Sequence, residues 1–561
     1  MPVFTFDLDD FCDLVGRRIT EEELADRLPM LAVPVEEMDD LTEIKVEVFP
    51  NRPDMLSVEG LARAYAGFID EKVGLPKYEV KDTKYPLIVD PSVQNVRPYI
   101  VGAVVRNISF TDASIASIMQ YQEKLHITHS RNRRKASIGL YDAEGLEFPL
   151  RYRAVGRSEV RFVPLQSTEE MTPEEILTKN PKGIEYAHLV GDKCPYLTDN
   201  KETVLSFPPI INSQDTAVTE DTESLVIDVT GLSLITISQA LNMVVTALAD
   251  RGGIIESIQV NYPYSVNGKN EITTPNLTPF EWELSREFVI NRIGRQFDFD
   301  AIENLLNKMR FDVRAKKSED KMKVIVPAYR TDIMHPIDFV EDIAIAYGYE
   351  NFEPTFPNLS TFGKESPVEI LTRRLANLLV GFGANEVMTF ILTSLENNFT
   401  KMGLKIDLSK TLQIQNPKTN RFTIVRTWLA PCFLEIFSNN TKAPYPQRLF
   451  EIDECFERDN DLETRTHIYR TLCYAEADSH TGYSHIKGVM DSLAMHLQEI
   501  ITLKPITHPS FIEGRSAALI TNETQIGMMG EIHPQILVNW GINTPVSLLE
   551  IRIDHFLDVR V

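Results

Sequence analysis

The chain has 561 residues, of which 43% are hydrophobic and 25% are charged, a composition typical of soluble globular proteins. Acidic residues outnumber basic ones by 81 to 57, so the net charge is −24 and a nucleic-acid partner would need a local basic patch. The length predicts about three to five domains.

The sequence contains no apolar run long enough to cross a bilayer, and it begins MPVFTFDLDDF, with acids where a secretory signal carries basic residues. We therefore expect a cytoplasmic protein with no membrane partner. The five cysteines are widely spaced and include no CxxC pair, which argues against a disulfide framework and a thiolate zinc site. We interpret them as buried reduced thiols.

Residues 1–85 are predicted to form a small N-terminal α+β domain. A helix over 19–31, begun by a threonine cap, is followed by an alternating strand over 43–50 and by a second helix that ends near residue 68. The stretch 72–98 is rich in proline and charge, which predicts a linker or an extended crossing segment.

A larger α+β domain is predicted over 99–265. Its strongest signals are a β-strand pattern at 100–110, another at 224–231, and a long apolar helix at 233–252. A capped helix at 171–183 lies between these strands in the sequence.

Two further domains are predicted in the second half of the chain. The first, 272–350, is helix-rich: residues 285–311 have a helix-turn-helix-like pattern, and a strand and a helix follow. The last, 356–561, begins with a helix at 366–383 and then alternates strands with turns.

Four acids surround the start of the predicted helix in YRTDIMHPIDFVEDIAIAYGY (329–349), namely Asp332, Asp338, Glu341 and Asp342. Pro336 suits the first helical position and Gly348 suits the end. At about 100° per residue the three acids of the helix share one arc, so we expect the helix to present them outward. A solvated acidic helix face and a Mg²⁺ site both account for the pattern, and the residues alone leave both open.

The segment HSRNRRKASIGLYD (129–142) contains the strongest basic patch. Its four cationic residues are Arg131, Arg133, Arg134 and Lys135. A solvated loop and a phosphate-binding loop are equally compatible with this pattern. Contacts from such residues to nucleic acid would supply affinity and would not read sequence.

Small polar residues border apolar strands in PPIINSQDT (208–216) and IDVTG (227–231). They are Asn212, Ser213, Thr216, Asp228 and Thr230. Such groups can line a pocket that recognises a polar substituent, but composition alone favours turn formation and strand capping. No GxSxG motif surrounds Ser213, and the chain has no Walker A, GxGxxG or HExxH motif.

Segments along nearly the whole chain resemble one family, the β subunit of phenylalanyl-tRNA synthetase in its shorter archaeal and eukaryotic form. The segments are NRPDMLSVEGLARA (51–64), QEKLHITHSRNRRKASIGLYD (122–142), MTPEEILTKNPKGIEYAHL (171–189), VLSFPPIINS (204–213), DVTG (228–231), YRTDIMHPIDFVEDIAIAYGY (329–349), GRSAALI (514–520) and GEIHP (530–534). They occur in the order found in that family, which makes the resemblance specific.

The resemblance implies an enzyme of two α and two β chains that joins phenylalanine to tRNA(Phe) with ATP, in which the α chain binds ATP and holds the aminoacylation site. For this chain it implies a multidomain α+β fold. The four predicted domains would be an N-terminal α+β domain, an α+β editing-type domain, a winged or DNA-binding-like helical domain, and a class II synthetase-like antiparallel-sheet core.

The same resemblance implies roles for specific residues. Asp332, Asp338, Glu341 and Asp342 match a Mg²⁺ site shared with the α chain, with Asp342 where the family has Glu. Ser213, Asp228 and Thr230 are candidates for a pocket that recognises the tyrosine hydroxyl of Tyr-tRNA(Phe), with water as the nucleophile. Arg131, Arg133, Arg134 and Lys135 are candidates for tRNA contacts.

The last domain resembles a class II core that lacks its catalytic signatures. Residues 414–437 and 448–459 are similar to the second class II signature, but 546–557 lacks the glycine-rich turn and terminal arginine that hold ATP. No ATP-binding residue is therefore assigned here, which disfavours a one-chain Mg²⁺-dependent ligase. A freestanding deacylase or tRNA-binding protein is also disfavoured, because it would not need a degenerate synthetase core.

Overall fold

The structure, a computed structural model, describes residues 2–316 and 320–557. The fold is mixed α/β with several sheets, and the chain divides into two compact units, Met1–Thr355 and Phe356–Val561. Within the described ranges, no helix has both the length and the apolar character needed to cross a membrane. All five cysteines are buried and unpaired, as expected.

The first unit begins with a small α+β layer. Its elements are β1 (Val3–Phe6), α1 (Leu8–Val15), α2 (Glu21–Met30), β2 (Val35–Glu37), β3 (Ile44–Glu47) and α3 (Val58–Phe68). The strands form an antiparallel sheet in the order β1-β3-β2. The predicted threonine cap of α2 is confirmed, because the Thr20 hydroxyl accepts a hydrogen bond from the Glu23 N–H at 3.2 Å.

A large sheet with flanking helices follows. Its elements are β4 (Val80–Val89), β5 (Tyr99–Arg106), α4 (Asp112–Ile127), β6 (Ala136–Asp142), β7 (Leu150–Gly156), α5 (Pro173–Lys179), α6 (Pro181–Tyr186), β8 (Lys193–Thr198), β9 (Val204–Phe207), β10 (Ile211–Asn212), β11 (Ser224–Gly231), α7 (Leu234–Asp250), β12 (Ile254–Val266) and β13 (Lys269–Thr274). The described strands lie in the order β10-β9-β8-β7-β4-β12-β5-β11-β6, and β13 pairs with β12.

The large sheet extends beyond the range 99–265 that the sequence predicts. Strand β4 lies in its middle, between β7 and β12, and runs parallel to both. The segment 72–98 is therefore not a plain linker, because ten of its residues form a paired strand. Its proline and charge content hid this strand, whose central residues Lys81–Lys84 are exposed.

The last part of the first unit combines a small sheet with three helices. Its elements are β14 (Phe280–Ser285), α8 (Arg286–Ile293), α9 (Phe299–Lys308), β15 (Asp312–Lys316), β16 (Lys321–Val326) and α10 (Pro336–Tyr347). The strands pair in the order β14-β16-β15. The helix pair predicted over 285–311 and the helix predicted after Pro336 are both confirmed.

One continuous apolar core joins these three parts of the first unit. It contains Tyr65 from α3, Leu241 from α7 and Phe339 from α10, all fully buried. The apolar helix predicted at 233–252 is α7, which packs against β5 and β11 and contacts α3. Its burial on several sides explains why its sequence is apolar around its whole circumference.

The second unit is built on a mostly antiparallel sheet. Its elements are α11 (Pro367–Gly381), β17 (Asn385–Glu386), β18 (Leu392–Thr393), β19 (Ile424–Val425), α12 (Ala430–Asn439), β20 (Gln447–Arg458), β21 (Thr466–Ala477), α13 (Tyr483–Leu497), β22 (Thr502–Pro505), β23 (Phe511–Thr521), β24 (Thr524–Ile532), α14 (Pro534–Trp540) and β25 (Val546–Arg552). The order is β17-β20-β21-β25-β24-β23-β22, and only the short β17 runs parallel to its neighbour in the described sheet. Helices cover both faces, with α12 and α14 on one and α11 and α13 on the other.

Candidate functional site

The best-formed candidate site of the first unit is a cavity of about 210 Å³ beside strands β6, β9 and β11. Its described lining includes a buried carboxylate, Asp228, together with Tyr141, Ser206 and Arg133. The strands place these groups together because β11 pairs with β6 and β10 contacts the end of β6.

Asp228 lies in the middle of β11, a strand buried on both faces. It faces Gly102 on β5 and Gly139 on β6, so neither neighbouring strand places a side chain directly beside the carboxylate. A Cβ atom at position 139 would overlap the Tyr141 hydroxyl and the Asp228 carboxylate. Glycine is therefore required there for the carboxylate to reach the tyrosine.

A hydrogen-bonded chain of three polar side chains forms the floor of the cavity. The Tyr141 hydroxyl donates to the Asp228 carboxylate and lies 2.7 Å from the Ser206 Oγ. Burial raises the pKa of Asp228 to about 7, against the opposing effects of the Tyr141 hydrogen bond and the charge of Arg97. Near neutral pH the carboxyl group can therefore either accept or donate a hydrogen bond.

Arg133 forms part of the cavity wall. It is 8% exposed, donates to the Ile210 carbonyl at 2.8 Å and pairs with Glu123 at 3.0 Å. Its guanidinium also stacks 4.5 Å from the Tyr186 ring centroid. The Nε atom of Arg133 is buried and has no hydrogen-bond partner among the described residues, so this donor is unpaired in the structure.

The backbone before β6 explains why Arg133 turns inward. Arg131, Asn132 and Arg133 all have positive φ angles, of 50°, 52° and 61°. Such a left-handed turn reverses the chain and separates the side chains of the basic segment. Arg131, Arg134 and Lys135 are exposed, so the expectation of a solvent-facing basic patch is wrong for Arg133 alone.

His126 helps to hold Arg133 and this part of the cavity wall in position. It is 2% exposed, and its Nε2 accepts the N–H of Ile138 at 2.9 Å, so its proton lies on Nδ1, which faces Glu123 at 3.4 Å. Burial lowers the pKa of His126 to about 4, so the ring is neutral near pH 7. It orients Glu123, which in turn holds Arg133.

Of the three residues that the resemblance made candidates for a pocket, Ser213, Asp228 and Thr230, only Asp228 lies in the described lining of this cavity. Asn212, from the same group of small polar residues, lines it as well. The Ser213 hydroxyl accepts the Asp215 N–H at 3.3 Å and so closes a turn. Thr230 accepts a hydrogen bond from the buried Arg97 at 2.9 Å. Ser213 and Thr230 therefore have the structural roles that the sequence had left open as the alternative.

Tyr141, Ser206 and Arg133 could not be assigned to this site from the sequence alone. All three lie in or beside segments that carry the family resemblance, but nothing local to them reveals that they share a cavity. Tyr141 and Asp228 are separated by 87 positions and meet only through the register of β6 and β11.

Two of the four acids at the start of α10, Asp332 and Asp342, bond to a buried arginine that the sequence did not reveal as part of this cluster. Arg330 is 3% exposed and donates to both oxygens of Asp332, at 2.9 and 2.7 Å, and to Asp342 at 2.6 Å. The expectation that the helix presents its acids outward is wrong for Asp342, which is 5% exposed and points toward Arg330. Asp342 lies where the acidic face of the helix borders the apolar face, and its hydrogen bond from Arg330 directs its side chain toward the interior.

The other two acids remain near the surface. Asp338 accepts the N–H groups of Met334 and His335 at 2.8 Å each and so caps the helix, whereas Glu341 is exposed and has no hydrogen bond or ion pair among the described residues. Partial burial and the charges of Asp342, Asp338 and Asp332 raise the pKa of Glu341. The charges of the other three acids therefore act on Glu341.

The donor set fits a Mg²⁺ ion only in part. In the part of the chain that the structure describes, no three His, Cys, Asp or Glu side chains converge as ligands of one ion. Arg330 already neutralises Asp332 and Asp342, which leaves Glu341 as the carboxylate not otherwise engaged. This chain alone therefore does not form a four-carboxylate cage.

Comparison with known proteins assigns the chain to a family. Two family profiles match: the tRNA synthetase B5 domain over residues 282–349 and the phenylalanyl-tRNA synthetase beta chain CLM domain over 352–553. The phenylalanine–tRNA ligase beta subunit of Pyrococcus furiosus is 41% identical over 98% of this chain and 99% of its own length. That of Methanococcoides burtonii is 38% identical over 98% and 99% of the two chains.

This chain belongs to the phenylalanine–tRNA ligase beta subunit family. It is thus a subunit of an aminoacyl-tRNA ligase, as the resemblance predicted. A crystal structure of an N-terminal fragment of the Pyrococcus horikoshii beta subunit is also similar, with 39% identity and a TM-score of 0.59, over 62% of this chain and 99% of the fragment. The B5 match contains the Arg330 cluster, and the CLM match contains most of the second unit.

Proposed function

We propose that this chain is the β subunit of a phenylalanine–tRNA ligase with two α and two β chains. The α subunit would bind ATP and attach phenylalanine to tRNA(Phe), and this chain would supply assembly surfaces, tRNA contacts and hydrolytic editing of Tyr-tRNA(Phe). The names of the relatives and their coverage of almost the whole chain support this proposal. A cytoplasmic location follows from the requirement for tRNA and ATP.

The editing role rests on one observation, the buried Asp228 at the floor of the 210 Å³ cavity. A phenol group differs from a phenyl group by one hydroxyl, and an apolar synthetic pocket rejects an added hydroxyl poorly. A site with a buried acceptor discriminates far more strongly, because that acceptor would be left unpaired by phenylalanine. Asp228, supported by Tyr141, supplies such an acceptor for the tyrosine hydroxyl.

The hydrolysis itself needs a water molecule and a stabilised carbonyl oxygen. Water attacks the ester carbon, the bond to the terminal ribose oxygen breaks, and that oxygen leaves with a proton to give free tyrosine and free tRNA. The guanidinium of Arg133 is the cation in the described wall with an unpaired Nε–H, and it would stabilise the negative charge that develops on the carbonyl oxygen. Neutral His126 keeps this wall in position through Glu123.

The exposed cations of the same turn are the proposed tRNA contacts. Arg131, Arg134 and Lys135 lie beside the cavity wall that contains Arg133. A phosphate backbone held by these side chains would bring the 3′ end of the tRNA toward the cavity. Because the whole chain carries a charge of −24, we expect this binding to depend strongly on salt.

The Mg²⁺ site implied by the resemblance is proposed as one that the α subunit completes. Glu341, with help from Asp338 and Asp342, would hold the ion from this side, and Asp332 would position the cluster through Arg330. The second unit is proposed as the degenerate class II core, with no ATP-binding residues of its own.

The test of the editing site is hydrolysis of Tyr-tRNA(Phe) by the assembled enzyme. Asp228→Ala should slow this hydrolysis by about tenfold to a hundredfold, the loss expected for one hydrogen bond to a charged group, and should leave aminoacylation with phenylalanine unchanged. Ser213→Ala is the matched control and should have the wild-type rate. A normal rate with Asp228→Ala would refute the assignment of this cavity.

A freestanding deacylase is the alternative that the sequence had kept open. The same assay discriminates it, because a freestanding enzyme would hydrolyse Tyr-tRNA(Phe) equally well with and without an α chain. The match of the CLM profile over residues 352–553 favours the subunit, since that region is named for the beta chain of the synthetase.

A further inference from the structure

Arg97 is a buried cation in the loop before β5, and it has no carboxylate partner of its own. It is 5% exposed, and among the described residues its guanidinium forms hydrogen bonds but no ion pair. By contrast, the buried Arg330 bonds to Asp332 at 2.7 Å. Because burying a charge without a partner is costly, a compensating charge is expected near Arg97.

The guanidinium of Arg97 holds strand β11 at Thr230. Its Nε–H donates to the Thr230 hydroxyl at 2.9 Å, and its Nη2 donates to the Thr230 carbonyl at 2.8 Å. The same Nη2 lies 3.4 Å from the carbonyl oxygen of Arg133. The Tyr152 hydroxyl in turn donates to the Arg97 carbonyl at 3.0 Å. Arg97 is thus fixed between β11, β7 and the turn that precedes β6.

Thr230 and Asp228 lie on the same face of β11. Side chains alternate along a strand, so these two residues point to one face and are about 7 Å apart. Val226, on that face, packs in the same cluster as Tyr152, whereas Val229 belongs to the cluster that contains α7. The guanidinium of Arg97 and the carboxyl group of Asp228 therefore share the face of the sheet opposite α7.

The charges of Arg97 and Asp228 act on each other across this face. Burial lowers the pKa of Arg97 to about 10, against the opposing effects of Tyr152 and Asp228, so the guanidinium stays protonated near pH 7. Burial raises the pKa of Asp228, and the Tyr141 hydrogen bond and the charge of Arg97 oppose this rise. The hydroxyls of Tyr141 and Tyr152 stay neutral, because burial raises their pKa values. Arg97 therefore favours the ionised form of Asp228 from behind the cavity floor.

The other cations around the cavity lie close to a carboxylate. Arg133 pairs with Glu123 at 3.0 Å, and Lys182 lies 3.7 Å from the same carboxylate. His126 is neutral near pH 7, because burial lowers its pKa to about 4. Of these groups, only Arg97 is a cation without a bonded carboxylate.

We propose that Arg97 is a positioning residue of the editing site, which fixes β11 beneath the cavity and keeps the Asp228 carboxylate ready to accept the tyrosine hydroxyl. The inference rests on the proposed editing function. Arg97 is not among the described residues that line the cavity, so it acts through Asp228 and does not touch the substrate. An ionised carboxylate accepts a hydrogen bond from a phenol and finds no donor on a phenyl ring. Arg97 thereby favours the tyrosyl ester over the phenylalanyl ester.

Hydrolysis of Tyr-tRNA(Phe) by the assembled enzyme over a range of pH tests this inference. Arg97→Met should move the acid limb of kcat/KM upward by about one pH unit and slow hydrolysis about fivefold to tenfold at pH 7, with the rates converging at higher pH. Arg97→Lys keeps the charge and should keep most of the wild-type profile. The matched control is Arg106→Met, which removes a partly buried arginine of β5 that pairs with Glu256 at 2.7 Å and should leave the profile unchanged.

A second readout does not depend on hydrolysis. The difference in free energy of unfolding between the full-length chain and its Asp228→Asn variant changes with pH as Asp228 titrates. With Arg97 present this change is centred near pH 7, and with Arg97→Met in both proteins it should be centred about one pH unit higher. A normal rate of hydrolysis by Asp228→Ala would refute the editing function and leave this second test of Arg97 intact.

Two results would overturn the role of Arg97. One is an unchanged midpoint in an Arg97→Met variant whose circular dichroism spectrum matches that of the unmodified chain. The other is a shift with Arg97→Lys as large as that with Arg97→Met, since lysine keeps the charge. If Arg97→Met does not fold, Arg97→Gln takes its place, because glutamine keeps a donor for Thr230 without the charge, and the same shift is expected.

Discussion

Asp228 on β11 lies directly opposite Gly139 on β6 in the antiparallel register of the two strands. The absence of a side chain at position 139 lets the Tyr141 hydroxyl, two residues further along β6, reach the Asp228 carboxylate. The floor of the proposed editing cavity thus depends on a glycine as much as on the polar groups themselves.

Gly139→Ala should therefore disrupt the cavity floor. The new methyl group would overlap Tyr141 and Asp228, so we expect a loss of about 1–3 kcal/mol in the free energy of unfolding, the usual cost of overpacking, together with slower hydrolysis of Tyr-tRNA(Phe). Urea denaturation and the deacylation assay measure the two effects. Gly191→Ala, at a position with open space around it, is the control and should behave as wild type.

The raised pKa of Asp228 predicts a pH dependence of stability with a definite sign. The unfolded carboxyl group has a pKa near the ordinary value of 3.8, whereas the folded one titrates at about 7, so the folded state binds more protons between these values. The contribution is fully present at low pH and is lost as the pH rises through about 7.

Asp228→Asn should remove this dependence. Between about pH 5 and about pH 8 the wild-type chain should lose about 2 kcal/mol more of its free energy of unfolding than the variant does. Glu550 titrates in the same range but is present in both proteins, so the difference isolates Asp228. Equal pH profiles for the two proteins would show that Asp228 is ionised in the folded state throughout this range.

Arg330 is expected to be the most sensitive position of the acidic cluster. Arg330→Met removes the cation that is hydrogen-bonded to the buried Asp332 and Asp342 and leaves only the more distant charge of Arg52, which should lower the free energy of unfolding by about 3 kcal/mol. Urea denaturation checks this. The control is Arg373→Met, which removes an exposed ion pair with Glu365 and should cause no measurable change. An equally small effect at both positions would mean that the buried pairs do not stabilise the fold.

The exposed basic residues should control the salt dependence of tRNA binding. Replacing Arg131, Arg134 and Lys135 together by glutamine should weaken binding and reduce the slope of log affinity against log salt concentration by about one for each charge removed. Filter binding over a series of salt concentrations measures the slope. A matched triple replacement of Lys405, Lys410 and Lys418 by glutamine should leave it unchanged, and an equal reduction by both triples would refute the assignment.

The sequence predicted local structure better than it predicted the sites. Helix α10 begins at Pro336 and ends before Gly348 as expected, because capping and helix-breaking residues act over a few positions. The inward direction of Asp342 could not be predicted, because it depends on Arg330, which lies before the helix. Helical periodicity describes only the residues of the helix itself. It therefore cannot reveal a buried arginine that lies outside the helix and faces it.

The proposed editing cavity shows the same limit at longer range. Asp228 could be proposed because a carboxylate within an apolar strand is unusual, and this signal is local. Tyr141, Ser206 and Arg133 join it through strand register and a left-handed turn, neither of which has a pattern in one sequence. Ser213 and Thr230 were equally plausible from their neighbours, and only the fold shows that their hydroxyls are used elsewhere.

The most direct test of the proposed β-subunit function is aminoacylation of tRNA(Phe) with phenylalanine and ATP, first with this chain alone and then with its α subunit added. We expect no product from this chain alone and full activity from the mixture, because in the proposed function the α subunit binds ATP. Formation of Phe-tRNA by this chain alone would contradict it, since the second unit would then have to hold a working catalytic site.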